Sequence, residues 1–382
     1  MYKTIEELVT RVDERNSDGI VSELIGVSID KCFIKSVANT NGTDLSKYKI
    51  IRKNDFAVSL MQVSRDGKIP VARLEEYEEA IMSPAYPIFR VKDKNIILPE
   101  YLEMWFKRPE FDREAAFIAV GGVRGSMPWE EFAKMKLPVP PIEKQRKIVN
   151  AYKIVTDRIA LKQRINDNLA NTEQLILHQA ISKNQTIPLS LNEIAEFIDG
   201  DRGKNYPTFD EFSASGFCLF LNASNVTSSG FNFDSCMFVT EEKDKIMRNG
   251  HLLLNDIVFT SRGTLGNVAL YDKNIKYKNV RINSGMLIIR PKGINLSPYF
   301  IYTLLKSNYM KSAIEQFRSG SAQPQLPIKD LQNITFDIPE SQNVLDDLEH
   351  RFFKIEETIS INKREIGDLN ELASILLTRL SR

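Results

Sequence analysis

Leu137-Pro138-Val139-Pro140-Pro141-Ile142-Glu143-Lys144-Gln145 opens a helical pattern that continues to about Ile181, and Phe336-Asp337-Ile338-Pro339 opens a second that runs to the C-terminus. The two patterns superpose at a single offset of 200 (348 − 148). Ile148, Tyr152, Val155, Ile159, Leu169, Ile176 and Ala180 fall on Leu348, Phe352, Ile355, Ile359, Leu369, Leu376 and Leu380. Steps alternating between four and three make a stripe about two-sevenths of the helix circumference wide, which suits a seam against a partner helix better than a broad core-facing surface. Lys162 and Asn362 share one seam position, and Asn166 and Glu173 also interrupt the first seam. Polar residues inside a seam lower stability while setting register. At about 1.5 Å per residue the first pattern, roughly 38 residues, spans near 57 Å, longer than a typical globular helix.

Outward from these stretches the order of elements repeats. Ile5 to Val12 reads as a short helix and so does Ser190 to Ile198; Phe56-Ala57-Val58-Ser59-Leu60 and Ile257-Val258-Phe259 read as strands. Ile88-Phe89-Arg90-Val91 matches Leu287-Ile288-Ile289-Arg290, and the helix from Leu98 to Lys107 matches the one from Leu296 to Lys306. Ser64-Arg65-Asp66-Gly67 is matched to Ser261-Arg262-Gly263, and Gly125-Ser126 to Gly320-Ser321. Ser36 to Asp55 reads as surface loop. A repeat this long is a duplicated domain, not a solenoid unit. The expected fold class is α+β: two similar mixed α/β domains, 1–141 and 186–339, alternating with two long helical segments, 142–185 and 340–382, that pair as an antiparallel coiled coil.

With 42% hydrophobic and 26% charged residues, the chain has the composition of a soluble globular protein. The start, Met1-Tyr2-Lys3-Thr4-Ile5-Glu6-Glu7, lacks the apolar core of a signal peptide, and no membrane span is expected. Cys32, Cys218 and Cys236 are odd in number and scattered, which argues against a disulfide framework and for the cytoplasm. A net charge of +1 requires that any nucleic-acid surface be a local cluster of cations.

Catalytic signatures are missing. His178, His251 and His350 have no partners at metal-ligand spacing. There is no phosphate loop, no nucleophile elbow, and no Asn-Pro-Pro-aromatic motif of a base methyltransferase at Pro138-Val139-Pro140-Pro141. The expectation is a chain with no catalytic, cofactor-binding or metal-binding residues of its own. Basic side chains do recur in turns rich in Gly, Ser and Asn: Arg65, Lys68, Arg124, Arg202, Lys204, Arg262 and Arg318, with Ser126, Thr264 and Ser321 beside them. Guanidinium forks and backbone N–H groups there can grip phosphates. Asn222, Ser224, Asn225, Gln323 and Gln325 are suited to base edges. The aromatic helix faces, Tyr101, Trp105, Phe106, Phe111 and Tyr299, Phe300, Tyr302, Tyr309, read as core rather than stacking platforms.

Taken together, Asn39-Thr40-Asn41-Gly42-Thr43-Asp44-Leu45-Ser46, Ser64-Arg65-Asp66-Gly67-Lys68-Ile69-Pro70, Ser83-Pro84-Ala85-Tyr86, Leu98-Pro99-Glu100-Tyr101-Leu102, Phe111-Asp112-Arg113, the entry at Leu137–Val149, Ser261-Arg262-Gly263-Thr264-Leu265-Gly266 and Gly320-Ser321-Ala322-Gln323-Pro324-Gln325-Leu326 give the chain a family likeness over its whole length. It resembles the DNA-specificity subunit of type I restriction–modification systems. The second helix entry departs from the first, with Ile338-Pro339-Glu340 in place of Val139-Pro140-Pro141-Ile142. The resemblance implies two target recognition domains that each read half of a split sequence in double-stranded DNA, with the paired helices as spacer. It implies partners: two methyltransferase subunits using S-adenosylmethionine on adenine, and restriction/translocase subunits using ATP and Mg. A coiled-coil scaffold that binds proteins without reading DNA is the competing reading, and a fused restriction–methylation enzyme a third.

Overall fold

The structure is a computed structural model, and it describes residues 1–36, 43–61, 63–119, 125–293, 296–317 and 326–381. The chain divides into two compact units. Unit 1 is Met1–Leu161 with Ile366–Arg382; unit 2 is Lys162–Glu365. The first long helix, Ile142–Lys183, and the second, Gln342–Thr378, each contribute to both.

Unit 1 holds a four-stranded antiparallel sheet in the order Val9–Val12, Ile88–Val91, Phe56–Val58, Val71–Arg73. Unit 2 repeats it as Ala195–Asp199, Met286–Pro291, Ile257–Thr260, Val268–Leu270. The opening helices are shorter than their sequence pattern suggests. They span only Ile5–Leu8 and Leu191–Ile194, each begun by a Thr or Ser whose backbone N–H donates to a Glu three residues on, at 2.7 Å in both. The residues after them, Val9–Val12 and Ala195–Asp199, form the edge strand, because pairing along their whole length with the next strand outweighs one more helical turn. Residues 37–42 of the Ser36–Asp55 loop lie outside the described residues, and its far end is corrected in the same way: Lys49–Arg52 is a strand paired with Glu79–Met82, and Ile51 is buried.

Beneath each sheet lies an aromatic and aliphatic core. In unit 1 Phe56 stacks on Phe89 at 5.3 Å, with Phe106, Phe111 and Phe132 around them and Leu380 closing the cluster. In unit 2 Phe300 meets Phe352 of the second long helix at 6.1 Å. Tyr101, Trp105, Phe106, Phe111, Phe300 and Tyr302 are core residues. Tyr299 is half-buried against Phe353, and Tyr309 is exposed but sits edge-on to Phe336.

Each unit contains the same internal brace. Arg90 donates to both oxygens of Asp55 (2.9 and 2.8 Å), and Arg290 to both of Asp256 (2.7 and 2.7 Å). The preceding Asn54 and Asn255 both adopt positive φ, 70° and 74°. Asp256→Ala is expected to cost about 2–3 kcal/mol, since it removes a bidentate charged pair and the acceptor for the Leu253 N–H. Chemical denaturation of the full chain measures this, and a loss below about 0.5 kcal/mol would contradict the brace.

The seam read from periodicity is buried. Val155, Leu348, Phe352, Ile359 and Asn362 are fully so, and Ile148, Tyr152, Ile159, Lys162, Leu169, Ile355, Leu369 and Leu376 partly. Within unit 2, Lys162 Nζ donates to Asn362 Oδ1 (2.8 Å) and pairs with Glu365 (2.9 Å), while Asn362 Nδ2 donates to Asn166 Oδ1 (2.8 Å). Farther along, Glu173 and Glu356 share Lys306. Numbers rise on one helix as they fall on the other, so the pair is antiparallel. Glu173 does not set register: it faces Thr303 and Lys306 of the domain helix Pro298–Lys306. No helix among the described residues is long and apolar enough to cross a membrane.

Candidate nucleic-acid interface

In unit 2 the strands Cys218–Leu221 and Val280–Ile282 run parallel, so the loops leaving their carboxyl ends lie side by side. Asn283 N–H donates to Leu221 O at 3.1 Å. The first loop is Asn222-Ala223-Ser224-Asn225 and the second Asn283-Ser284-Gly285. Two further segments converge on the second loop. Arg202 donates to Ser284 O (3.2 Å) and is braced by Asp199 (3.0 Å). The N–H groups of Ser261 and Arg262 both donate to Gly285 O, at 3.0 and 3.2 Å.

Close approach makes this possible. A Cβ at Gly200 would lie 2.2 Å from Asn283 O, so only glycine lets the Arg202 segment reach the turn. Asp201 accepts from Gly203 N–H (2.8 Å) and Arg248 N–H (2.9 Å). Those backbone donors hold its carboxyl below the usual carboxylate range. Asp201 thereby places Arg248 near Arg202.

Of the sequence candidates, Arg202, Arg262 and Asn222 are brought together here. Lys204 and Thr264 are exposed on adjoining turns. Asn225 is corrected: it is 1% exposed, its Nδ2 donates to Asn232 O (3.0 Å) and Ser235 O (2.8 Å), and its Oδ1 accepts from Asn222 N–H (3.0 Å). Its amide is fully used in holding the loop and is not available to a base. Sequence reading missed Arg248, Asn283 and Ser284, because nothing local marks them; only pairing of strands far apart in sequence brings them in.

In unit 1, Arg65 and Lys68 are exposed around the short helix Val63–Asp66, and Arg65 Nε pairs with Asp66 at 2.9 Å. Gly125 has φ 72°, and a Cβ there would fall 2.4 Å from Ser64 Oγ, which brings half-buried Ser126 close to Arg65. The matching of Ser64-Arg65 to Ser261-Arg262 is corrected by the sheet. Equivalent strands enter the hairpin at offset 201 (257 − 56) and leave it at 197 (268 − 71). The unit 1 loop is four residues longer, and Leu60 takes the place of Ser261: Leu60 O accepts from Met127 N–H (2.8 Å) as Ser261 O does from Leu326 N–H (3.3 Å). Arg124, Arg318, Ser321, Gln323 and Gln325 lie outside the described residues. Among the described residues, no group of three or more His, Cys, Asp or Glu could hold a metal ion.

Comparison with known proteins gives the family and the fold. Residues 27–171 and 188–371 match the model of the family described as type I restriction modification DNA specificity domain. The type I restriction enzyme MjaIX specificity subunit of Methanocaldococcus jannaschii is 21% identical over 304 residues, 75% of this chain and 69% of that one. The crystal structure of a type I restriction–modification S subunit from M. genitalium shares the fold, with a TM-score of 0.59 at 18% identity over 100% of this chain and 96% of that chain.

Proposed function

The chain belongs to the type I restriction modification DNA specificity family, whose members recognise DNA and are non-catalytic, and on that footing we propose that it reads a bipartite target, one half with each unit, and directs partner methyltransferase and restriction subunits to it. The observation that carries the reading is the convergence of Arg202, Arg248, Arg262, Asn222 and Asn283 on one end of unit 2. Local clustering of this kind lets a chain of net charge +1 bind a polyanion. Phosphate contacts would place each unit on the duplex, and groove contacts would choose the sequence. The two long helices, common to both units, would set the spacing between half-sites.

Partner docking has its own support. Beside the buried seam, Ile154, Leu161 and Leu175 on the first long helix and Ile361, Leu372 and Ile375 on the second are exposed. Apolar residues left at helical spacing on a surface suit partner helices. Two methyltransferase subunits holding S-adenosylmethionine would dock there, with ATP- and Mg-dependent restriction subunits joining them. Adenine would be extruded and methylated by the partner.

The test is co-expression with the cognate methyltransferase and sequencing of methylated adenines, which should reveal one split motif. Paired substitutions Arg65→Ala/Lys68→Ala and Arg202→Ala/Lys204→Ala should each weaken DNA binding and reduce the salt slope by about one for each phosphate no longer engaged. Methyltransferase binding without sequence-dependent methylation would favour the protein scaffold instead.

A further inference from the structure

At the converging loops of unit 2 the side-chain acceptors of Asn283, Asn222, Asp199 and Asp201 are already engaged. Asn283 Oδ1 is occupied by Gly285 N–H (2.9 Å), and Asn222 Oδ1 by the N–H and Oγ of Ser224 (2.9 and 2.6 Å). Both residues are partly exposed, and their Nδ2 hydrogens have no hydrogen-bond partner among the described residues. The carboxylates close by are already engaged, Asp199 by Arg202 and Asp201 by two backbone N–H groups.

Arg262 stands apart within this set. Its backbone is pinned to Gly285, and Ser261 before it is pinned twice, through N–H and through Oγ (3.1 Å). Its guanidinium has no ion-pair or hydrogen-bond partner among the described residues, whereas Arg202 is clamped by Asp199 and Ser284. Lys204 and Arg248 are exposed at the rim, where point charges suit phosphates. A guanidinium fork on a half-buried residue with a fixed backbone suits a planar pair of acceptors.

In the major groove guanine offers two acceptors, O6 and N7; adenine pairs an acceptor with a donor, and cytosine offers a donor. Resting on the DNA-reading role proposed above, we propose that Arg262 reads guanine O6 and N7 within the half-site bound by unit 2, with Asn283 and Asn222 donating to neighbouring acceptors. The half-site of unit 2 then contains at least one G·C pair.

The experiment uses the full chain in complex with its methyltransferase and duplexes carrying the methylated motif. Each guanine is replaced in turn by 7-deazaguanine, which lacks the N7 acceptor, and binding is measured for the native chain, Arg262→Ala and Arg262→Lys. One guanine should weaken native binding roughly five- to a hundredfold on replacement. The same replacement should have no effect on Arg262→Ala and a reduced effect on Arg262→Lys, and Asn283→Ala should relax preference at an adjacent pair. The proposal is overturned if no guanine position couples to Arg262, or if Arg262→Ala weakens every duplex equally, as a phosphate contact would. Absence of any methylated motif would instead defeat the DNA-reading role itself, so the two failures are distinguishable.

Discussion

Lys306→Met is expected to destabilise unit 2 by about 3–5 kcal/mol at pH 8, because it strands two buried carboxylates. Glu173 is 0% exposed; its Oε1 accepts from Thr303 Oγ1 (2.7 Å) and its Oε2 from Lys306 Nζ (2.8 Å). Glu356, on the other long helix, pairs with the same Nζ, which lies 4.6 Å from the centre of the Tyr302 ring. Two carboxylates share one ion-paired ammonium, and Lys363 acts on Glu356 without pairing with it. Burial, and then the charge of Glu356, push the Glu173 carboxyl up to about 7 against the opposing pull of Lys306. Burial alone would lower the Lys306 ammonium, but Tyr302, Glu356 and Glu173 overcome that and raise it, so the lysine stays charged.

The pH dependence is set by those directions. An acid whose native pKa lies above its unfolded value of 4.5 contributes stability that is present below about 4.5 and lost as pH rises through about 7. The native chain should therefore lose stability across that window, and Glu173→Gln should flatten the loss. The cost of Lys306→Met should shrink as pH falls, since protonation relieves the stranded acids. Adding Glu173→Gln and Glu356→Gln to Lys306→Met should recover most of the stability. A full-size penalty at pH 5 would contradict the triad. In unit 1 the equivalent lysine, Lys107 (306 − 199), pairs with Glu103 of its own helix at 2.6 Å, and Glu103 is also bonded to Arg73 at 2.8 Å. Lys107→Met should cost less, because Arg73 remains.

Phe352→Ala is expected to cost about 3–5 kcal/mol, the range for emptying a large aromatic site in a core that cannot collapse around it. Its ring is 0% exposed and packs with Phe300, Leu348 and Leu304 where the second long helix meets the sheet domain of unit 2. Ile361→Ala, on the exposed side of the same helix, should change stability by under about 0.5 kcal/mol while weakening methyltransferase docking. Urea denaturation of the three proteins side by side checks both. A Phe352→Ala loss no larger than that of Ile361→Ala would show that the long helix is not part of the unit 2 core.

The duplication, the class of elements and the helix pairing were all legible in the chain. Val155, Phe352 and Ile359 could be placed on a buried stripe because seven-residue spacing is a consequence of helix geometry and needs no distant information. Lys162 and Asn362 could be placed at one seam position for the same reason, and they do touch. The order of elements in the second unit could be matched to the first. The lengths of the first helices could not be read, because whether Val9 and Ala195 extend a helix or begin a strand depends on a partner strand some 80 to 95 residues away in sequence.

The use made of each polar residue was decided by tertiary structure. Glu173 looked like a break in the seam and is instead tied to the domain helix through Lys306. Asn225 looked like a reader of bases and is instead an internal brace of its loop. Arg65 and Arg262 looked equivalent, but a four-residue difference between two hairpins separates them. The polar cases turn on a hydrogen bond whose donor and acceptor are brought together by the closing of the chain. By itself the sequence determined the repeat, the seam and the family, since these rest on local periodicity and on the order of motifs. Which side chains are satisfied inside and which remain uncommitted was decided only when distant loops met, because a donor's availability depends on every acceptor around it.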